Sequence, residues 1–127
     1  MNIIIIEDEL RTARALVAII KEIQPDIQIR GILSSVQAAV DYFSKDTDVD
    51  LIFMDILLSD GHSFDIFEEV SIQQPIIFCT AYNDYMTEAF KVNGIDYILK
   101  PFNNEVISHA LDKWQKLQQH FISTNSA

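Results

Sequence analysis
Four short runs of the chain are almost wholly apolar: Ile3-Ile4-Ile5-Ile6, Leu51-Ile52-Phe53-Met54, Ile76-Ile77-Phe78-Cys79 and, broken by one aspartate, Ile95-Asp96-Tyr97-Ile98-Leu99. Unbroken β-branched and aromatic stretches of this length suit strands covered on both faces, which is the condition of a parallel sheet. A fifth strand, over residues 27–33, alternates apolar with polar positions as an edge strand does (Ile27, Ile29, then Ile32 and Leu33 past Gly31). Between the strands the spacing becomes helical. The stripes are Leu10, Ala13, Leu16, Val17, Ile20 and Ile23, then Val36, Ala39, Val40 and Phe43, then Phe64, Phe67 and Val70. Met86, Ala89 and Phe90 mark a fourth helix, and Val106, Ile107, Ala110, Leu111, Trp114, Leu117 and Phe121 a long fifth. Each stripe reads as packing against the sheet and is assigned no chemistry.

Five repetitions of strand then helix, joined by short connections, specify an α/β sandwich, because parallel neighbours need a crossover and the helix supplies it. The expected architecture is a five-stranded, doubly wound parallel sheet. At 127 residues the chain suits a single domain. The polar residues 123–127 read as the start of a linker.

Charge and composition narrow the function classes. Lys and Arg total 9 against 19 for Asp and Glu, a formal charge of −10, and no basic cluster is present, which argues against direct nucleic-acid binding by this segment. The longest apolar run, Ala15 to Ile20, is too short for a membrane span, and no basic stretch leads into an apolar one at the N-terminus. The cytoplasm is the expected compartment. The single cysteine, Cys79, sits in an apolar run and reads as a reduced, buried small hydrophobe.

In doubly wound sheets the ligand site lies beyond the carboxyl ends of the strands. Those positions here are polar: Glu7-Asp8-Glu9 after the first strand, Asp55 after the third, Thr80 at the end of the fourth and Lys100-Pro101 after the fifth. If the strands are neighbours, three carboxylates (Glu7, Asp8, Asp55) crowd one end of the sheet. Like charges about 4 Å apart at an effective dielectric near 20 repel by roughly 4 kcal/mol a pair, so the cluster calls for a cation or shifted pKa values. Magnesium fits, because it takes one or two carboxylates, keeps several waters and accepts phosphate oxygens. Asp55, at the end of the most central run, can then be presented as a nucleophile toward phosphorus. Lys100 can pair with the charge of an aspartyl phosphate, and Thr80 can hydrogen-bond a phosphoryl oxygen. Singly these signals are weak, since an Asp after a strand is commonly a helix cap and a Lys before Pro a surface side chain. Their joint order at the ends of strands one, three, four and five is specific.

Glu7-Asp8-Glu9, Met54-Asp55-Ile56, Thr80-Ala81-Tyr82 and Asp96-Tyr97-Ile98-Leu99-Lys100-Pro101-Phe102 resemble a bacterial response-regulator receiver domain, over essentially the whole chain. The resemblance implies a flavodoxin-like (βα)5 sheet of strand order 2-1-3-4-5, with Asp55 as phosphoacceptor for a sensor histidine kinase. It implies Mg2+ on Asp8 and Asp55, with Glu7 nearby and the backbone carbonyl of Leu57 completing the protein ligands. It also implies a cis peptide bond before Pro101 that aims Lys100, and a switch in which Tyr97 turns inward as Thr80 moves toward the phosphoryl group. The output surface would be helix four, strand five and helix five, open to partners or to a second copy.

The segments Pro75 to Tyr82, Glu88-Ala89-Phe90 and Asp96 to Phe102 are further similar to receivers of LytTR-type transcription regulators. That implies a receiver over residues 1–122, with 123–127 leading to an output domain outside this chain that alone would bind DNA. In that family a proline and a glycine commonly stand four and eight residues after the phosphoacceptor. Here those positions are Ser59 and Ser63, with the turn glycine at Gly61, so the loop after the third strand is expected to differ in shape.

Two other classes fit the sequence less well. A magnesium-dependent phosphohydrolase of the haloacid-dehalogenase kind also forms an aspartyl phosphate, but it expects a nucleophile and a second Asp two residues later after the first strand. Glu7-Asp8-Glu9 lacks that spacing. A flavin carrier of this fold would need a Ser, Thr or Gly-rich loop there, where acidic residues would repel phosphate. His62, His109 and His120 lack metal-ligand spacing with one another.

Overall fold
The apolar runs form strands whose alternate side chains enter two separate cores. A computed structural model describes residues 1–45 and 48–125, residues 120–125 by their backbone. In chain order the elements are β1 (Asn2–Ile6), α1 (Leu10–Ile23), β2 (Gln28–Leu33), α2 (Val36–Phe43), β3 (Leu51–Met54), α3 (Ile66–Glu69), β4 (Ile76–Thr80), α4 (Met86–Lys91), β5 (Gly94–Leu99) and α5 (Asn104–Asn125). The sheet has the order β2-β1-β3-β4-β5, every pairing is parallel, and the strand ends therefore line up at one edge. This is the flavodoxin-like arrangement, with β3 at the centre.

Successive side chains on a strand point to opposite faces, which explains why the central runs are apolar throughout. Ile3, Ile5, Phe53 and Ile77 pack against Ala13, Leu16 and Ile20 of α1 and Ile107, Ala110, Leu111 and Trp114 of α5. Ile4, Ile6, Ile52, Met54, Ile76 and Phe78 face the other way, onto Ala39 and Phe43 of α2, Ile66 of α3 and Ala89 of α4. Each such side chain contributes roughly 1.5 to 3 kcal/mol when fully buried. The edge strand β2 is only partly covered.

The helical stripes need correction at their margins. Met86 and Phe90 were expected to pack on the sheet, yet they are 45% and 48% exposed, and Leu10, Val106 and Leu117 are exposed as well. For α4 the cause is a close approach of backbones. A Cβ on Gly94 of β5 would lie 2.4 Å from the carbonyl oxygen of Ala89. With the helix so near the sheet, only small Ala89 fits beneath it and the long side chains turn to the flanks. The third helix is a single turn entered through a 3-10 turn at Ser63–Asp65. Its buried residue is Ile66, while Phe64, Phe67 and Val70 are partly buried at the rim of the same core.

The loop after β3 forms a small antiparallel hairpin, Leu57 opposite His62 and Leu58 opposite Gly61, that the sequence reading did not name. Gly61 has a φ of 150°, a region that disfavours side chains. The backbone of α5 is helical to Asn125. The side chains of His120 and Phe121 and the end of the expected linker, residues 126–127, lie outside the described residues.

Candidate functional site
Parallel register carries the polar residues to one edge, and one further backbone bond fixes each. The Glu7 N–H donates to the Leu33 carbonyl at 2.9 Å, the Asp55 N–H to the Ile6 carbonyl at 2.9 Å and the Lys100 N–H to the Thr80 carbonyl at 2.8 Å. Each side chain thus leaves the sheet from a position tied to a neighbouring strand. One oxygen from each of Glu7, Asp8 and Asp55 lies within 4.8 Å of the other two, which is the juxtaposition the sequence demanded. Glu7 and Asp55 are buried and Asp8 is exposed, so the pocket has a floor and an open side.

The floor is held by directed hydrogen bonds. Asp55 Oδ1 accepts from the Ile56 N–H at 2.7 Å, and Glu7 Oε2 accepts from the Glu9 N–H at 3.1 Å. Lys100 Nζ stands between the two buried carboxylates, 2.5 Å from Glu7 Oε1 and 2.8 Å from Asp55 Oδ2. Burial pushes Glu7 up to about 7, although the Lys100 hydrogen bond pulls the other way. Burial alone would lower Lys100, but its hydrogen bonds to Asp55 and Glu7 outweigh that and hold the ammonium above its ordinary range. The lysine is charged.

Two of the three carboxylates contact the one ammonium, so the site has acceptors to spare. Oxygen donors alone, with one side open, match a hard divalent cation that retains water, and Mg2+ is the fit. Leu57 follows two residues after Asp55 and is fixed by its pairing with His62 in the hairpin. Among the described residues this is the one such cluster of acidic, histidine or cysteine groups, and His62 and His109 take no part in it.

The other expected site residues lie at the end of β4, on β5 and just after it. Thr80 is fully buried at the end of β4, and its hydroxyl accepts a long hydrogen bond, 3.5 Å, from the Tyr82 N–H. Half-buried Tyr97 lies with its ring centroid 6.4 Å from that of Phe78 and donates its hydroxyl to the Tyr82 carbonyl. The Lys100–Pro101 peptide bond is cis. Sequence reasoning passed over Asp60. Its carboxylate accepts the Val36 N–H at 2.7 Å and the Gln37 N–H at 3.1 Å, at the start of α2. The available signal was the Ser59-Asp60-Gly61 run, which marks a turn.

An acidic pocket around a strand-end aspartate, on a doubly wound sheet with a lysine bridging to it, is the plan of a receiver domain. The response regulator receiver domain family matches residues 3–112, and the chain belongs to that family. It is similar to the sensory transduction protein LytT of Bacillus cereus, 33% identical over 98% of this chain and 51% of that protein. The LytT protein of Enterococcus faecalis is 32% identical over 100% of this chain and 53% of its own length. The chain therefore spans about half the length of these relatives. Among solved structures, the response regulatory domain of protein mrkE from Klebsiella pneumoniae is 28% identical, with a TM-score of 0.76 over 97% of this chain and 99% of that one. The kinship with LytT proteins supports the likeness to LytTR-type regulators.

Proposed function
We propose that Asp55 accepts a phosphoryl group from a sensor histidine kinase in a magnesium-dependent reaction, and that the resulting aspartyl phosphate switches the α4, β5 and α5 surface. The observation that carries this reading is Lys100 Nζ, held between the carboxylates of Glu7 and Asp55, where a phosphoryl oxygen would replace a carboxylate as its partner. Mg2+ held by Asp8, Asp55 and the Leu57 carbonyl, with Glu7 nearby, would offset negative charge on the phosphoryl oxygens. A bond forms between an Asp55 carboxylate oxygen and phosphorus as the P–N bond of the donor phosphohistidine breaks. The electron pair stays on the imidazole nitrogen, which takes up a proton. Lys100 then pairs with the new charge, and Thr80 turns its hydroxyl toward a phosphoryl oxygen. The domain assists its own phosphorylation and dephosphorylation; its role is signalling.

Movement of Thr80 would draw on the loop that Tyr97 holds through the Tyr82 carbonyl, and Tyr97 serves as the switch. Exposed Met86 and Phe90 on α4, Leu99 on β5 and Val106 on α5 supply an apolar surface for an output partner or a second copy. By kinship with LytT, the receiver occupies residues 1–122 and residues 123–127 lead toward an output domain that would contact DNA and control transcription. Membership of the receiver family supports a cytoplasmic location; among the described residues no helix is long and apolar enough to cross a membrane. A magnesium-dependent phosphohydrolase is the alternative, and membership of the receiver family weighs against it.

The test is incubation with acetyl phosphate and Mg2+, followed by intact-mass measurement. The wild type should gain one phosphoryl group that hydroxylamine removes, and Asp55→Asn should gain none. A stable adduct on Asp55→Asn would reject the assignment.

A further inference from the structure
The hairpin that follows Asp55 is fastened at its tip to a helix remote in sequence. Asp60, in the turn between Leu58 and Gly61, accepts the backbone N–H groups of Val36 at 2.7 Å and Gln37 at 3.1 Å. These two donors, Val36 first, hold the Asp60 carboxyl below the usual carboxylate range. They belong to the first turn of α2, where N–H groups lack intrahelical partners and the helix dipole favours negative charge. The helix also has a cap of its own, since Ser35 Oγ accepts the Ala38 N–H at 3.0 Å. Asp60 therefore adds a second anchor, and it comes from another element.

The contact is reinforced by shape. A Cβ on Gly61 would lie 3.0 Å from Asp65 Oδ2 and 3.8 Å from Val36 Cγ2, so the hairpin tip rests against the same first residue of α2. On its other flank the His62 ring meets Tyr85 edge-on with centroids 5.7 Å apart. Within the hairpin, Leu58 pairs with Gly61 and Leu57 with His62. The position of the Leu57 backbone is thus set at one end by Asp55 and at the other, across two rungs, by the grip of Asp60 on α2.

We propose that Asp60 is a positioning residue for the metal site: by clamping the hairpin to α2 it fixes the Leu57 carbonyl, and loading of the site is transmitted to the start of α2. This rests on the reading of the site given above. Groups behind the ligands that hold them in place set metal affinity, and the coupling is reciprocal, so an ion that draws on Leu57 alters the Asp60 contacts with Val36 and Gln37. The face of α2 then responds to the state of Asp55 alongside α4 and β5.

The experiment is a Mg2+ titration of the 15N-labelled 127-residue chain, followed through backbone amide resonances, for the wild type, Asp60→Ala, Asp60→Asn and Ser35→Ala. In the wild type, Val36 and Gln37 should titrate together with Ile56 and Leu57. Asp60→Ala should weaken Mg2+ binding by about tenfold and remove the response of Val36 and Gln37. Asp60→Asn, which keeps an oxygen acceptor but loses the charge, should fall between, and it serves if the alanine variant does not fold. Ser35→Ala removes the cap within α2 and should keep wild-type affinity, which separates positioning from general loosening of the helix. Wild-type affinity in both Asp60 variants, or an equal loss in Ser35→Ala, would overturn the inference while leaving the metal site standing. A wild type that does not respond to Mg2+ at Ile56 and Leu57 would overturn the metal reading and this inference with it.

Discussion

The Tyr97 hydroxyl donates a hydrogen bond to the Tyr82 carbonyl, tying the middle of β5 to the loop between β4 and α4. That loop carries Thr80 at its start and α4 at its end, so one side-chain bond connects the carboxyl edge of the sheet with the exposed face of α4. Tyr97→Phe keeps the ring against Phe78 and removes only this tie. Amide hydrogen exchange at residues 82–85 should accelerate, while global stability in urea falls by about 1 kcal/mol or less. Unchanged exchange in that loop would show that the hydroxyl does not restrain it.

Gly94 permits a close backbone approach, because a methyl group there would meet the Ala89 carbonyl oxygen at 2.4 Å and its carbon at 2.9 Å. Both are backbone atoms of α4 and cannot rotate away. Gly94→Ala should destabilise the chain by about 1 to 3 kcal/mol, read from denaturant midpoints, and should shift amide resonances along α4. Wild-type stability would mean that the helix rides on the sheet with slack.

Met86 and Phe90 are exposed on the flanks of α4. On the proposal that a second copy docks on this face once Asp55 is phosphorylated, replacing both with Ser should change folding stability by only about 0.5 kcal/mol, yet leave the acetyl-phosphate-treated chain monomeric in sedimentation where the treated wild type pairs. Dimers that persist in the double variant would place the contact elsewhere.

Cys79 is buried in the core shared with α1 and α5, and burial pushes its thiol up to about 12 from an ordinary 9.0. The folded chain holds the proton more tightly than the unfolded chain does. Its contribution to stability is therefore complete below pH 9 and is lost as pH rises toward 12. Wild type should lose stability relative to Cys79→Ala across that window, and a thiol reagent at neutral pH should react only as fast as the chain opens. A difference between the two that stays flat with pH would contradict the assigned burial effect.

Much of this was legible in the linear chain. Apolar runs such as Ile3 to Ile6 state that both faces of a strand are covered, and parallel order sends every strand end to one edge. Glu7, Asp8, Asp55 and Lys100 could thus be placed together without coordinates. Helix margins were less legible, because the stripe Met86-Ala89-Phe90 has the same spacing whether one residue or three reach the sheet. Depth depends on how near the helix axis can come, and that is decided by a glycine on another strand. Asp60 was hidden for a similar reason, since its partners lie 24 and 23 residues away and backbone N–H groups leave no mark in sequence.

The sequence by itself determined the strand and helix order, the two-faced burial of the central sheet and the identity of the groups at its carboxyl edge, since these follow from periodicity and chain direction. Only the tertiary structure decided that Lys100 bridges Glu7 and Asp55, that α4 exposes its large apolar residues and that Asp60 grips α2. Those are distances between elements far apart in the chain, and they depend on how closely packed surfaces approach.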